Sequence, residues 1–218
     1  RAAAAPASRA GHAELAYHHE HAGELAAAAD HLEAAADQAL TAAAFGEART
    51  LLRHLGGLPI DVPPARRARW NRQLGEAAFA LGDLASCATH LEQSLGQLGR
   101  SLPSSKAGWT ATVAAGIARQ VWSNTVGRRR SRETDPHVVE AALAASRMTS
   151  CYFFNDDSLG LIGSALAAAN LAERAGVEVP IAEIYSQLGY IAGLARMHGV
   201  AHAYFAKARD TAEATRDP

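Results

Sequence analysis

The sequence predicts an all-α chain of about ten helices, stacked pair upon pair into an α–α superhelix. Three observations lead there. Of the 218 residues, 49% are hydrophobic and only 6% aromatic, and alanine supplies much of the difference; alanine has the best helix propensity, and small side chains let helices approach closely. No stretch alternates apolar and polar residues with the period of two that a half-buried strand requires. And two segments far apart in the chain repeat one spacing of small and large residues.

Breakers divide the chain into helix-sized pieces. The spacing predicts helices at 10–22, 24–44, 46–56, 64–81, 83–98, 106–127, 136–152, 156–175, 180–197 and 199–215. Gly23, Gly82 and Gly199 fall in tight turns. Gly56-Gly57-Leu58-Pro59 with Pro63-Pro64 form one break, and Ser101 to Ser105 around Pro103 another. The longest polar connection runs from Gly127 to Pro136. Asp83, Asp135 and either Asp157 or Ser158 suit helix N-caps, where a side-chain oxygen accepts a free first-turn amide. Pro64, Pro136 and Pro180 suit a first turn, which needs no amide hydrogen at that position. Residues 1–8 are alanine-rich and unpatterned and read as a linker start; 9–218 read as one domain. The chain begins at Arg1 and reads as a segment of a longer polypeptide.

The repeated spacing has a physical meaning. Small residues sit where the two helices of a pair touch, and large ones fill the gap to the next pair. In the second half the set is Tyr185, Leu188-Gly189, Ala192, then Ala201, Phe205 and Ala208. In the first half it is Asn71, Leu74-Gly75, Ala78, then Cys87, Leu91 and Ser94, with Trp70 one place from the bulky position. Leu188 to Ala201 and Leu74 to Cys87 are both 13 residues apart, the offset of a tetratricopeptide repeat, a helix pair of about 34 residues. A weaker set is Leu32, Ala35-Ala36, Ala39, Ala48, Leu52 and Leu55. A fourth, His12, Leu15-Ala16, Ala28, Leu32 and Ala35, overlaps it, so one helix serves in two registers. Segment 136–175 has suitable helix lengths but no alignable motif, and 106–127 reads as an extra helix. The middle, 106–175, is therefore irregular.

Longer stretches carry a further likeness. Tyr17-His18-His19-Glu20-His21-Ala22-Gly23-Glu24 before an alanine-rich helix is one. Arg69-Trp70 with Leu74-Gly75-Glu76-Ala77 and Leu81-Gly82-Asp83-Leu84 is another. Tyr152-Phe153-Phe154-Asn155-Asp156 with Ala169-Asn170-Leu171-Ala172-Glu173-Arg174 is a third. Together they resemble the repeat region of large bacterial regulators. In those, a class III adenylate or guanylate cyclase domain, or a related sensor, precedes a STAND-type AAA ATPase, and helical repeats form the C-terminal part. The resemblance implies cytoplasmic signalling, with the nucleotide chemistry upstream of this segment. The residues agree with that division: the only lysines, Lys106 and Lys207, follow no phosphate-loop glycine run, and no nucleophile elbow is present.

Charge and composition narrow the function. A net charge of −1 gives no electrostatic case for nucleic acid or anionic membrane. No run reaches the roughly 18 apolar residues of a membrane span. Cys87 and Cys151 fit no paired motif and read as small buried thiols in a reducing cytosol. His18, His19 and His21, with Glu20 and His31, are the densest set of metal-ligand types. Their spacing departs from the four-residue histidine step of zinc helices, so they read as solvated or partly packed. No cofactor, metal or catalytic residue is assigned. The candidate interaction residues are Arg128, Arg129 and Arg130, with Arg132 beyond; Tyr152, Phe153 and Phe154, which read first as a plug between helices; and Trp109. Trp109 opens an apolar set, Val113, Ile117 and Val121 with Trp122 and Val126, suited to docking or to packing within the stack. The expected function is a non-catalytic, regulatory protein-interaction module. Its partner would be a protein or peptide, the upstream domains of its own chain, or a second copy. The alternative is a helical sensor of a small-molecule effector.

Overall fold

The computed structural model describes residues 9–126, 135–175 and 181–215, and those residues form an all-helical fold of packed helix pairs with no strand among them. The helices are α1 (Arg9–His21), α2 (Leu25–Thr41), α3 (Phe45–Gly57), α4 (Pro64–Ala80), α5 (Leu84–Gln97), α6 (Lys106–Val126), α7 (Pro136–Phe154), α8 (Ser158–Ala175), α9 (Ile181–Leu194) and α10 (His198–Thr215). Asp83, Asp135 and Asp157 cap α5, α7 and α8, accepting from the amides of Ser86, His137 and Gly160 at 3.1, 2.9 and 2.9 Å. The sequence leads to one domain over 9–218; the packing divides inside α5 into two compact units, one ending at His90 and one beginning at Leu91.

One turn recurs through both units. After α1 the amide of Gly23 donates to the carbonyl of Glu20 and that of Glu24 to His19, at 3.0 and 2.8 Å. The same paired bonds close the turns at Ala43, Gly82, Gly99, Asp156 and Arg196. This is the Schellman arrangement, which needs a left-handed residue. Gly23 and Gly82 take φ +78° without strain. Ala43, Asp156 and Arg196 take φ 56°, 54° and 58°, at a cost of about 1–2 kcal/mol for a residue with a Cβ. Gly199, expected in the last turn, lies instead in the first turn of α10, because Arg196 already supplies the reversal.

In the first unit, α2 packs on α1 and on α3, so it serves both neighbours as its overlapping sequence sets require. Ala28, Ala29, Ala35, Ala36 and Ala39 are fully buried, with Leu32, Leu52 and Leu55 filling the space between helices. Trp70 and Leu74 of α4 complete that core. A polar seam joins α2 to α4. Arg66, Arg69, Trp70 and Gln73 lie on one face of α4 and meet Asp30, Glu33 and Asp37 of α2. Arg66 reaches Asp30 at 2.5 Å and Glu33 at 2.6 Å, and Asp37 accepts from Arg69 and Gln73, each at 2.6 Å. Glu33 also accepts from the indole N–H of Trp70.

In the second unit α7 packs along α8, α9 along α10, and α6 on α8. Glycines set the spacing. A Cβ on Gly163 of α8 would stand 2.6 Å from the ring of Trp109 in α6; one on Gly160, 2.5 Å from the ring of Tyr152 in α7; one on Gly189 of α9, 2.9 Å from the ring of Phe205 in α10. Thr149 and Ser164 hydroxyls meet at 3.1 Å inside the α7–α8 contact.

Two outcomes follow. Gly163→Ala forces the buried Trp109 aside and lowers stability by about 2 kcal/mol. Gly189→Ala meets the free end of the half-exposed Phe205, which can swing away; the ~1 kcal/mol helix-propensity gain then leaves stability unchanged or higher. Urea midpoints measured side by side check the contrast. In the first unit, Glu33→Ala leaves the Trp70 indole without its acceptor and Arg66 with Asp30 alone, and costs about 2 kcal/mol, read as a lower urea midpoint with an unchanged slope.

Candidate functional site

Helix α6 is the wall shared by two cavities of the second unit. Thr112, Ala115, Gly116 and Arg119, spaced three and four apart, line a cleft; Ile117, Gln120 and Val121, on the neighbouring face, line a groove. The expected extra helix is thus integral to the unit. It reaches α8 by two close approaches, Trp109 on Gly163 and Gly116 under Leu166.

The groove is the larger cavity, about 530 Å3, and runs between α6, α8, α9 and α10. Ile162, Leu166, Leu188 and Ile191 form its floor and walls, and Met197 and Val200 its far edge. Ile117, Val121, Met197 and Val200 are exposed, and Trp122 beside them is 69% exposed. Lys207 is the one charged residue lining the groove among the described residues.

A buried polar knot closes one end. Gln120, only 3% exposed, donates to Asn170 at 3.0 Å and to Glu173 at 3.2 Å, while its carbonyl accepts from the Tyr204 hydroxyl at 3.2 Å. Tyr185 donates to Glu173 at 3.0 Å. The Lys207 ammonium sits 5.4 and 5.5 Å from the ring centres of Tyr185 and Tyr204, within cation–π range. Burial, with the Glu173 charge adding, holds the Tyr204 phenol above its usual range.

The cleft is smaller, about 280 Å3, on the other side of α6. Leu95, Leu102, Leu171 and Trp109 give it apolar walls, and Ser164, Asn170, Arg100 and Arg119 also line it. Trp109 is buried, with its ring edge-on to Tyr152 at 5.4 Å and 82°.

The predicted residues are thereby sorted. Trp109 faces inward and lines the cleft, while Ile117 and Val121 of its apolar set face the groove. The aromatic cluster is divided: α7 runs two residues beyond its expected end, so all three rings lie on its last turn. Tyr152 packs over Gly160, whereas Phe153 and Phe154 are exposed, edge to face with each other at 5.4 Å. Arg128, Arg129, Arg130 and Arg132 lie outside the described residues. Of the repeat-motif residues, Leu74, Gly75, Cys87, Leu91, Tyr185, Leu188, Gly189, Ala201 and Ala208 are buried. Phe205 is 46% exposed yet lies against Gly189. The histidines touch in a row. His19 bonds Glu24 at 2.6 Å and stacks on His31, His31 bonds His12 at 3.1 Å, and His21 bonds the carbonyl of Tyr17 at 2.8 Å; no group of three or more His, Cys, Asp or Glu among the described residues is placed to hold a metal ion. Gln120, Tyr204, Arg100 and Arg119 were not singled out by sequence. For Gln120 a signal exists, a polar residue on the buried stripe of a helix; for the arginines there is none.

No family model matches the chain, and no curated protein matches it. A solved structure of similar outline is the crystal structure of BtubC (BKLC) from P. vanneervenii, 16% identical, with 97% of this chain and 90% of that chain covered and a TM-score of 0.40. So loose an overlap adds nothing to the helix pairing described above. Among the described residues no helix is long and apolar enough to cross a membrane.

Tyr152 gives a direct readout of this region. Burial, with Glu92, Asp157 and Cys151 adding, pushes its phenol up from 10.0 to about 12. Below pH 10 the phenol is neutral folded and unfolded, and its contribution to stability is complete. Above that the unfolded chain ionises first, so the contribution is lost between pH 10 and about 12. A phenolate absorbance titration is expected to show late-ionising tyrosine, and Tyr152→Phe should remove one tyrosine's share of it while that of Tyr204 stays.

Proposed function

We propose that the chain is a regulatory protein-interaction module, non-catalytic by itself, that receives an amphipathic segment of a partner polypeptide in the groove of its second unit. The observation that carries this reading is the groove itself: apolar along its floor, open, and edged by exposed Ile117, Val121, Met197 and Val200. A contiguous apolar surface with polar groups at its margin marks interaction sites, and helices laid into such grooves anchor through residues three and four apart. Lys207 at the knot selects the charge of the segment, favouring an acidic residue at that end.

The source of the segment follows from the resemblance of the sequence to the repeat regions of large bacterial regulators. In such a parent the natural occupant is a helix of the upstream cyclase or ATPase part, in the cytoplasm. Release of that helix would free the catalytic domains. The groove then converts a binding event into a change of activity by differential affinity for two states of the parent.

The test is fluorescence anisotropy with a labelled synthetic helix bearing leucines on one face and glutamates at one end. Binding is expected to fall at least about tenfold, ~1.4 kcal/mol, in Val121→Glu and in Met197→Glu. Both positions are exposed, so melting should be unchanged. A helix with lysines in place of the glutamates should bind more weakly. Equal binding by both helices, or by wild type and both variants, would sink the proposal.

A further inference from the structure

The cleft on the other face of α6 has a chemistry different from the groove's. We infer that it is a site for a small organic anion, a carboxylate or phosphate group on an apolar body about the size of one ring. Three observations carry this.

The first is charge. Arg100, from the connection between α5 and α6, and Arg119, from α6, both line the cleft, and among the described residues no aspartate or glutamate does. Neither guanidinium takes part in an ion pair or side-chain hydrogen bond among the described residues, although the arginines of the first unit's seam are paired at 2.5–2.6 Å. Two arginines lining one cavity without carboxylates among the described residues favour an oxyanion, which a guanidinium can grip with two parallel N–H donors.

The second is the character of the walls. Leu95, Leu102, Leu171 and Trp109 give the cleft apolar surface that inorganic phosphate would not use. Apolar walls with a few converging polar groups are the usual composition of a small-molecule site.

The third is size. A volume of 280 Å3 equals roughly nine waters at their liquid share of about 30 Å3 each. That admits a single ring with its acid group. Thr112 lies along the same cavity, where a hydroxyl can orient the ligand.

The experiment is isothermal titration calorimetry on the full chain with four probes: phenylacetate, phenyl phosphate, benzyl alcohol and inorganic phosphate. The expected result is saturable binding of at least one of the two aromatic anions, at least about tenfold tighter than either benzyl alcohol or inorganic phosphate. Which anion wins distinguishes a carboxylate site from a phosphate-ester site. Arg119→Gln and Arg100→Gln should each weaken binding about tenfold or more, with unchanged melting because neither side chain is paired among the described residues. Ala115→Leu, an exposed position on the cleft wall, should block binding without altering charge. Benzyl alcohol binding as tightly as the anions would overturn the role of the arginines. Inorganic phosphate binding as tightly as phenyl phosphate would overturn the role of the walls. No binding of any probe, or binding untouched by all three substitutions, would overturn the site. Loss of anion binding in Arg119→Gln with helix binding in the groove retained separates this site from the proposed function.

Discussion

The close approach of helices at residues with almost no side chain is the constraint from which the rest follows. In the first unit fully buried alanines of α2 bring it against α1 and α3. In the second, glycines on α8 and α9 accept whole aromatic rings from α6, α7 and α10. A large side chain opposite a vacancy is a directional contact: it fixes both the separation of the helices and their rotation about their own axes. That is why the cavities on either side of α6 have defined walls. Trp109 on Gly163 and Leu166 over Gly116 hold α6 against α8 at two points along its length, and its faces are then committed, one to the cleft and one to the groove.

Much of this architecture is legible in the sequence because local rules write it. Breakers and caps place all ten helices within a few residues, since proline, glycine and aspartate act on their own neighbourhood. Small-residue spacing identifies the pair around Gly189. What stays hidden is what depends on distant partners. Ala43, Asp156 and Arg196 make the same turn as Gly23 and Gly82, yet nothing in their identity announces a left-handed residue; the bonds of the preceding helix impose it. The α7–α8 pair defies alignment because Gly160, Gly163, Ser164 and Thr149 replace the expected small residues, and because one ring seated there belongs to a third helix.

The site was legible only in outline. Trp109 and the apolar stripe of α6 stand out, but whether that stripe faces a neighbour or solvent is a tertiary matter: Gly163 draws Trp109 inward while Ile117 and Val121 remain at the groove. The aromatic run 152–154 looks like one feature and becomes two, because successive residues of a helix point about 100° apart. Arg100 and Arg119 are indistinguishable in sequence from any solvated arginine. Their interest arises from what the fold fails to place beside them.

The knot of Gln120, Asn170, Glu173, Tyr185 and Tyr204 has one more effect. A slip of α6 by one turn, about 5.4 Å, would unseat Trp109 from Gly163 and Gly116 from Leu166. It would also tear Gln120 from three partners and strand buried polar atoms, at about 1–3 kcal/mol for each. The polar residues therefore act as a second index mark beside the ring-on-glycine contacts: together they penalise every register of α6 but one.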